Sequence, residues 1–174
     1  MIEPLGKGDR AAFSCGVAAL DDWFRFRAGQ DEKRNLARVF VAIDDQLGVV
    51  GFYSLSSFTL AIPDLPAEHA KRLPRYDAIP AALIGRLARD ARVRGEKIGD
   101  LLLADAVRRV IGASHSLAVF AIVVEATDEK AAAFIATSDL HRFLTTRLDY
   151  LCRHPQRLRL SRARCLDSPT VWRT

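Results

Sequence analysis

The chain has 174 residues, 49% apolar and 27% charged, with a formal net charge of +5; this is the balance of one globular domain. No apolar run approaches the roughly 18 residues of a membrane span, and the opening Met1-Ile2-Glu3-Pro4 lacks the basic and apolar regions of a secretory signal, so a cytoplasmic chain with no membrane partner is expected. Cys15, Cys152 and Cys165 form no CxxC pair and have no histidine pair at zinc spacing, so neither disulfides nor a bound metal is expected.

Val17 to Ala28 sets Ala18, Leu20, Trp23 and Phe24 near one side and Asp21, Asp22, Arg25 and Arg27 elsewhere, which predicts an amphipathic helix. Arg38 to Ile43 and Gly48 to Leu60 are β-branched and aromatic, and Asp44, Asp45 and Gln46 make a turn between them, so this stretch is a hairpin. Asp64 to Pro80 carries Pro66, Pro74 and Pro80 and is a loop. Ala81 to Ala88 is a strand. Gly99 to Gly112 is a helix in which Leu103, Ala106, Val107, Val110 and Ile111 form one apolar stripe, with Asp105 and Arg109 placed to pair on its outer face. Leu117 to Val124 has the continuous apolar run of a central strand covered on both faces. Asp128 to Phe134 begins another helix, capped by Thr127 or Asp128.

The composition then changes. Met1 to Phe134 holds 18 Lys plus Arg and 18 Asp plus Glu, whereas Ile135 to Thr174 holds 8 Arg and 3 Asp, the whole of the +5. All 10 glycines and all five lysines precede Ile135. The excess charge therefore marks an unusual tail rather than a nucleic-acid surface spread over the domain.

The segment Leu83 to Arg109 carries the chemistry: a strand ending near Ala88, a polar turn with Gly95 and Gly99, then an amphipathic helix. The first N–H groups of a helix have no partner within it, and with the helix dipole they attract anions. Glycines let backbone approach phosphate oxygens closely, and Arg94 and Lys97 add charge. Taken alone the pattern admits two readings, a diphosphate site or an ordinary strand-to-helix connection.

Arg94-Gly95-Glu96-Lys97-Ile98-Gly99 resembles the acetyl-coenzyme A motif of the GNAT N-acetyltransferases, Gln/Arg-x-x-Gly-x-Gly/Ala, and the flanking GRLARD and LLLADAVRR match it as well. FSCGVAALDDWFR, RVFVAID and GFYSLS resemble more narrowly the GNAT toxins of toxin–antitoxin pairs. The resemblance covers about residues 3 to 134. It implies an α/β GNAT fold, a mixed and largely antiparallel sheet with helices on both faces. It implies acetyl-CoA as acetyl donor, held by Leu87, Ala88, Arg89, Arg94, Gly95, Glu96, Lys97, Ile98, Gly99 and Asp100, with backbone at Leu87 and Ala88 aligning the pantetheine arm. It implies acetylation of the amino group of aminoacyl-tRNA, blocking translation, with a ribbon-helix-helix antitoxin as partner and room for a homodimer. Arg86 and Arg92, with Arg89, Arg94 and Lys97, are the basic residues placed to meet tRNA or CoA phosphate; a solvated face is the alternative. The other functions to weigh are a non-catalytic toxin that binds only CoA or antitoxin, and an acetyltransferase for a small amine or a protein.

Two departures stand out. Lys97 occupies the central glycine position of the motif. Ile135 occupies the position of the tyrosine that protonates the leaving thiolate in a Phe-Tyr-x-x-x-Gly-Phe pattern, and Asp139 and Leu140 replace its Gly-Phe, so no catalytic residue is assigned. The tail is explained by a single-base deletion after the codon of Phe134. With permitted codons, restoring one T turns FIATSDLHRFLTTRLDYL into FYRHFGFTPLPDDPARLF, which regains the tyrosine and the Gly-Phe pair. The expected organisation is thus a GNAT core at 1–134 and an out-of-frame tail at 135–174. That tail is expected to leave C-terminal strands lost or irregular and the edge beside Leu117 to Val124 uncovered. Cys15 is expected to be a small packing residue, Tyr53 and Tyr76 packing residues, and His69 and His115 solvent-exposed.

Overall fold

The computed structural model describes residues 1–6, 9–62, 71, 77–125, 129–137 and 149–153. Its strands are β1 (Ile2–Pro4), β2 (Arg38–Asp44), β3 (Gly48–Ala61), β4 (Ala78–Arg89), β5 (Ala121–Glu125) and β6 (Asp149–Arg153). Its α-helices are α1 (Ala18–Asp22), α2 (Ala28–Lys33), α3 (Ile98–Ala113) and α4 (Glu129–Thr137), with a π-helical turn (Trp23–Arg27) joining α1 to α2. The six strands form one sheet in the order β1-β2-β3-β4-β5-β6. β1 to β4 are antiparallel, while β5 is parallel to β4 and β6 parallel to β5.

The hairpin of β2 and β3 forms where predicted. Asp44 Oδ1 accepts the N–H groups of Gln46 and Leu47, both at 2.9 Å, and Gly48 takes φ +71°, a left-handed conformation that favours glycine. On one face of the sheet the α3 stripe of Leu102, Leu103, Ala106, Val107 and Val110 packs on Val50, Tyr53, Ile84, Ile122 and Val124. Gly51 permits the approach: a Cβ there would lie 2.8 Å from Leu102 Cδ1 and 3.2 Å from the Ala88 carbonyl. On the other face Phe13, Trp23 and Phe24 pack on Val39, Val41 and Phe52, with Phe24 stacked on Phe52 at 4.2 Å.

Several expectations are corrected. The first helical stretch runs on to Lys33 through the π-helical turn, a change of hydrogen-bond offset that hydrophobic spacing does not encode. The apolar run at Leu117 to Val124 becomes strand only from Ala121, and Leu117 is 64% exposed. Asp105 does not face outward. It is buried and accepts from Tyr53 Oη at 2.5 Å, Arg108 Nη2 at 2.6 Å and Arg109 Nε at 2.8 Å, and the Arg109 guanidinium lies 4.0 Å over Phe40. A carboxylate supplied with three donors tolerates burial. The edge of β5 is not uncovered: Asp149–Arg153 pairs with Ala121–Glu125 in parallel register, because a ladder uses main-chain groups that any extended segment without proline carries.

α4 runs past Phe134 to Thr137, and Ile135 is buried in the α3 core. Of the loop expected at Asp64 to Pro80, residues 64–70 and 72–76 lie outside the described residues, as do the expected caps Thr127 and Asp128 and His69, Tyr76 and Cys165; the loop's end is corrected, because Ala78 to Pro80 already belongs to β4. Among the described residues no helix is long and apolar enough to cross a membrane.

Candidate functional site: a split between two parallel strands

β4 is paired with β3 along its whole length, but its ladder with β5 ends at Ile84–Val124. The cause is local. Between the pairs Leu55–Ile84 and Tyr53–Leu87 the strand β4 carries one extra residue, a bulge at Gly85–Arg86. A bulge bends a strand and shifts which of its groups face each neighbour. Below it, the Pro80 carbonyl accepts from Phe120 N–H on the β5 side at 2.9 Å. Above it, Asp90 N–H donates to the Val50 carbonyl at 2.8 Å and Arg86 N–H to Ser54 Oγ at 3.0 Å, both on β3. Even-numbered residues thus switch from facing β5 to facing β3. The main-chain groups of Leu87 and Arg89, odd-numbered, face away from β3 into the split, where among the described residues no strand meets them. Ala88 pairs with Phe52 on β3 and its side chain is buried, so its contribution to the split is the spacing between Leu87 and Arg89.

The split holds a cleft of about 60 Å³ lined by Gly85, Leu87, Val124, Glu125, Phe134 and Ile135. Beyond it the chain makes a 3₁₀ turn at Ala91–Val93, capped by Asp90, and enters α3. Asp90 is buried and accepts from Arg92 Nε and Nη2 at 2.9 Å each, Arg92 N–H at 2.8 Å and Ser14 N–H at 3.2 Å. The Arg92 guanidinium, with these N–H groups, outweighs burial and holds the carboxyl down at about 2. Ser14 also accepts from Ala91 N–H at 2.9 Å. The FSCG loop is therefore a strap across the start of the turn. Asp21 anchors the strap in turn, accepting from Ser14 Oγ at 2.7 Å and Cys15 N–H at 2.9 Å; burial opposes its ionisation, and these donors still hold its carboxyl below the ordinary range. This network is the physical content of the FSCGVAALDDWFR motif. It was findable only in part: an aspartate before a turn is a capping signal, but its long-range partner is not written beside it.

Burial, then the hydrogen bond with Asp21, pushes the Cys15 thiol up to about 11, so at neutral pH it is a protonated, unreactive packing group. Among the described residues no cluster of three or more His, Cys, Asp or Glu is placed to hold a metal.

At the mouth of α3, Gly95 has φ +92° and Lys97, the N-cap, φ +57°, and Lys97 makes no side-chain capping bond. The first intrahelical bond is Leu101 N–H to the Lys97 carbonyl at 3.1 Å, so the N–H groups of Ile98, Gly99 and Asp100 lead the helix. Arg94, Gly95, Glu96, Lys97 and Asp100 are exposed around them. Gly99 serves packing: a Cβ there would lie 3.0 Å from the Phe134 ring, so Phe134 sits over the first turn of α3. The basic residues separate. Arg92 is tied to Asp90, Arg89 Nη1 donates to the Asp90 carbonyl at 3.2 Å, and the Arg86 guanidinium lies 4.3 Å over the Trp23 ring. Arg94 and Lys97 remain beside the helix mouth.

A left-handed conformation costs a residue with a Cβ about 1–2 kcal/mol, partly offset because glycine is the more flexible chain when unfolded. Lys97→Gly is therefore expected to raise the stability by about 0.5–1 kcal/mol, seen as a higher thermal midpoint; a lower midpoint contradicts the strain at this turn.

An extended ligand can pair with Leu87 and Arg89 as an added strand does, and end in an anionic group at the helix mouth. A sheet split at a bulged strand, followed by a tight turn into a helix, is the architecture of the GNAT fold. No family model matches the chain, but individual proteins do. It is 35% identical over 128 residues to the probable toxin TacT of Sinorhizobium fredii (strain NBRC 101917 / NGR234), covering 72% of this chain and 71% of that one. It is 37% identical over 131 residues to the tRNA-acetylating toxin of Mycobacterium tuberculosis (strain ATCC 25618 / H37Rv), covering 75% and 77%. AtaT complexed with acetyl-methionyl-tRNAfMet superposes with a TM-score of 0.71 at 28% identity, over 78% of this chain and 82% of that one. AtaT is also known bound to the C-terminus of its antitoxin AtaR, and the AtaTR complex with acetyl-CoA. The chain belongs to the family of GNAT-type tRNA-acetylating toxins.

Proposed function

We propose that this chain descends from, and is built as, an acetyl-CoA-dependent N-acetyltransferase toxin acting on the amino group of aminoacyl-tRNA in the cytoplasm, and partnered by a ribbon-helix-helix antitoxin. The observation that carries the reading is the parity switch in β4, which turns the main-chain groups of Leu87 and Arg89 into the split beside the α3 mouth. Relatives of known action support it: AtaT is complexed with an acetylated aminoacyl-tRNA and, with its antitoxin, with acetyl-CoA. The residues fit that donor. Leu87 and Arg89 would align the pantetheine arm through their backbone, and the N–H groups of Gly95 and Lys97 to Gly99 would hold the diphosphate, with Arg94 and Lys97 adding charge; the Glu96 N–H already donates to the Val93 carbonyl at 3.3 Å. Arg86 and Arg92, the residues expected to meet tRNA, are both already engaged within the protein, with Trp23 and Asp90.

The reaction needs a neutral amine to attack the thioester carbonyl. A C–N bond forms, the C–S bond breaks, the attacking nitrogen gives up one proton and the departing thiolate takes one up. The residue at the tyrosine position, Ile135, lines the cleft where that proton is needed and has none to give. Tyr53 is no substitute: burial, and then its bond to Asp105, push its phenol far above the ordinary range. We therefore propose a chain impaired in catalysis, with residues 135–174 out of frame after a one-base deletion. What supports the reading is that Phe134 packs over Gly99 and that Ile135 borders the cleft at the split.

The test is transfer of radiolabelled acetyl from acetyl-CoA to charged tRNA, with free amino acids and protein amines as competing acceptors. Weak, tRNA-restricted labelling is expected. Labelling confined to small amines or protein would replace the toxin reading. The coding DNA tests the tail: wobble bases after the Phe134 codon that forbid the FYRHFGF reading end the deletion hypothesis.

A further inference from the structure

Ser54 is an odd choice for its place. It lies in the middle of the apolar strand β3 and is 3% exposed, where a valine would pack better and bury no hydroxyl. Its partner explains it. The extra residue in β4 leaves Arg86 N–H opposite β3 out of step with the regular ladder, and Ser54 Oγ accepts that N–H at 3.0 Å. The fit is close, since a Cβ on Gly85 would stand 3.0 Å from the same oxygen. Everything that follows along β4 depends on this step: with Arg86 held toward β3, Leu87 and Arg89 must face the split.

We infer that Ser54 is a positioning residue for acetyl-CoA: its hydroxyl clamps the β4 bulge and so fixes which main-chain groups of β4 face the donor. The inference rests on the acetyltransferase reading. It touches no reacting atom, and it gives a reason for the serine in the GFYSLS segment that core packing alone does not.

The full chain, Ser54→Ala and Ser54→Thr are compared by acetyl-CoA titration and by amide hydrogen exchange with and without acetyl-CoA. In the unaltered chain, acetyl-CoA is expected to slow exchange at Leu87 and Arg89. In Ser54→Ala, affinity is expected to fall roughly tenfold, the size of one lost buried hydrogen bond, and the protection of these two amides to disappear while that of Ala88 and Asp90 persists. Ser54→Thr, which keeps the hydroxyl, is expected to recover both. Ser54→Ala with unchanged affinity overturns the inference. So does a loss of affinity with the Leu87 and Arg89 protection intact, the mark of a merely structural role. An unaltered chain that does not bind acetyl-CoA overturns the acetyltransferase reading itself, a result separate from either of these.

Discussion

Ile135→Tyr is expected to raise acetyl transfer to charged tRNA by roughly 10²–10⁴-fold, the range that a positioned proton donor contributes. Ile135 is buried yet borders the cleft at the β4–β5 split, so a tyrosine there has open space ahead of it for its ring and hydroxyl. Its neighbour Phe134 already packs over Gly99 at the mouth of α3. The position is thus set relative to the donor site by contacts that the substitution does not touch. The gain should appear in the turnover rate and not in acetyl-CoA affinity, because the proton is needed only as the C–S bond breaks. The version with the one base restored should gain at least as much, since it also replaces the tail. If the unaltered chain, Ile135→Tyr and the restored version all show equal, high activity, the proton-donor argument is wrong.

Asp90→Ala should be the most damaging substitution around the donor site. It removes the acceptor for Ser14 N–H, Arg92 N–H and the Arg92 guanidinium at once, and about 3 kcal/mol of stability should go with it. Acetyl-CoA binding should weaken as well, because the strap and the turn into α3 lose their common anchor. Asp90→Asn retains an acceptor but not the charge and should fall between. The carboxyl is depressed in the folded state, to about 2, against about 3.9 in an unfolded chain. Its contribution is therefore fully present above pH ~4 and drains away as the pH falls toward 2. Urea denaturation of the parent and Asp90→Ala at neutral and acid pH checks this: the gap between them should narrow as the medium is acidified. A gap that stays constant would mean that Asp90 acts by shape and not by charge.

The parts legible in the sequence share a physical trait: their signal is local. The β2–β3 hairpin follows from β-branched residues around Asp44-Asp45-Gln46, and α3 from a stripe with helical spacing. The glycine-containing turn before α3 is legible from its own residues, and the resemblance gives it a ligand. Features set by pairing between distant segments are hidden. β1 has three residues, one of them Pro4, too few to show a period. The bulge at Gly85–Arg86 exists only relative to β3, and no pattern within β4 announces it. Asp105 lies off the apolar stripe, which suggests an outward-facing charge until Tyr53, Arg108 and Arg109 are seen to converge on it. The edge beside β5 is the opposite case. There the sequence argues against pairing because the tail lacks the right side chains, and the backbone pairs nonetheless.

The strap over the donor site has a consequence for the order in which the molecule assembles. Ser14 and Asp90 are 76 residues apart in the chain, so their bond closes a long loop and gains nothing until the sheet between them exists. The turn into α3 is thus expected to be among the last parts to become fixed and, in the reverse direction, among the first to open. A ligand seated there lends its energy to a structure that the folding barrier has already passed. Acetyl-CoA should accordingly slow unfolding while leaving the folding rate nearly unchanged, extending the lifetime of the folded protein without hastening its birth.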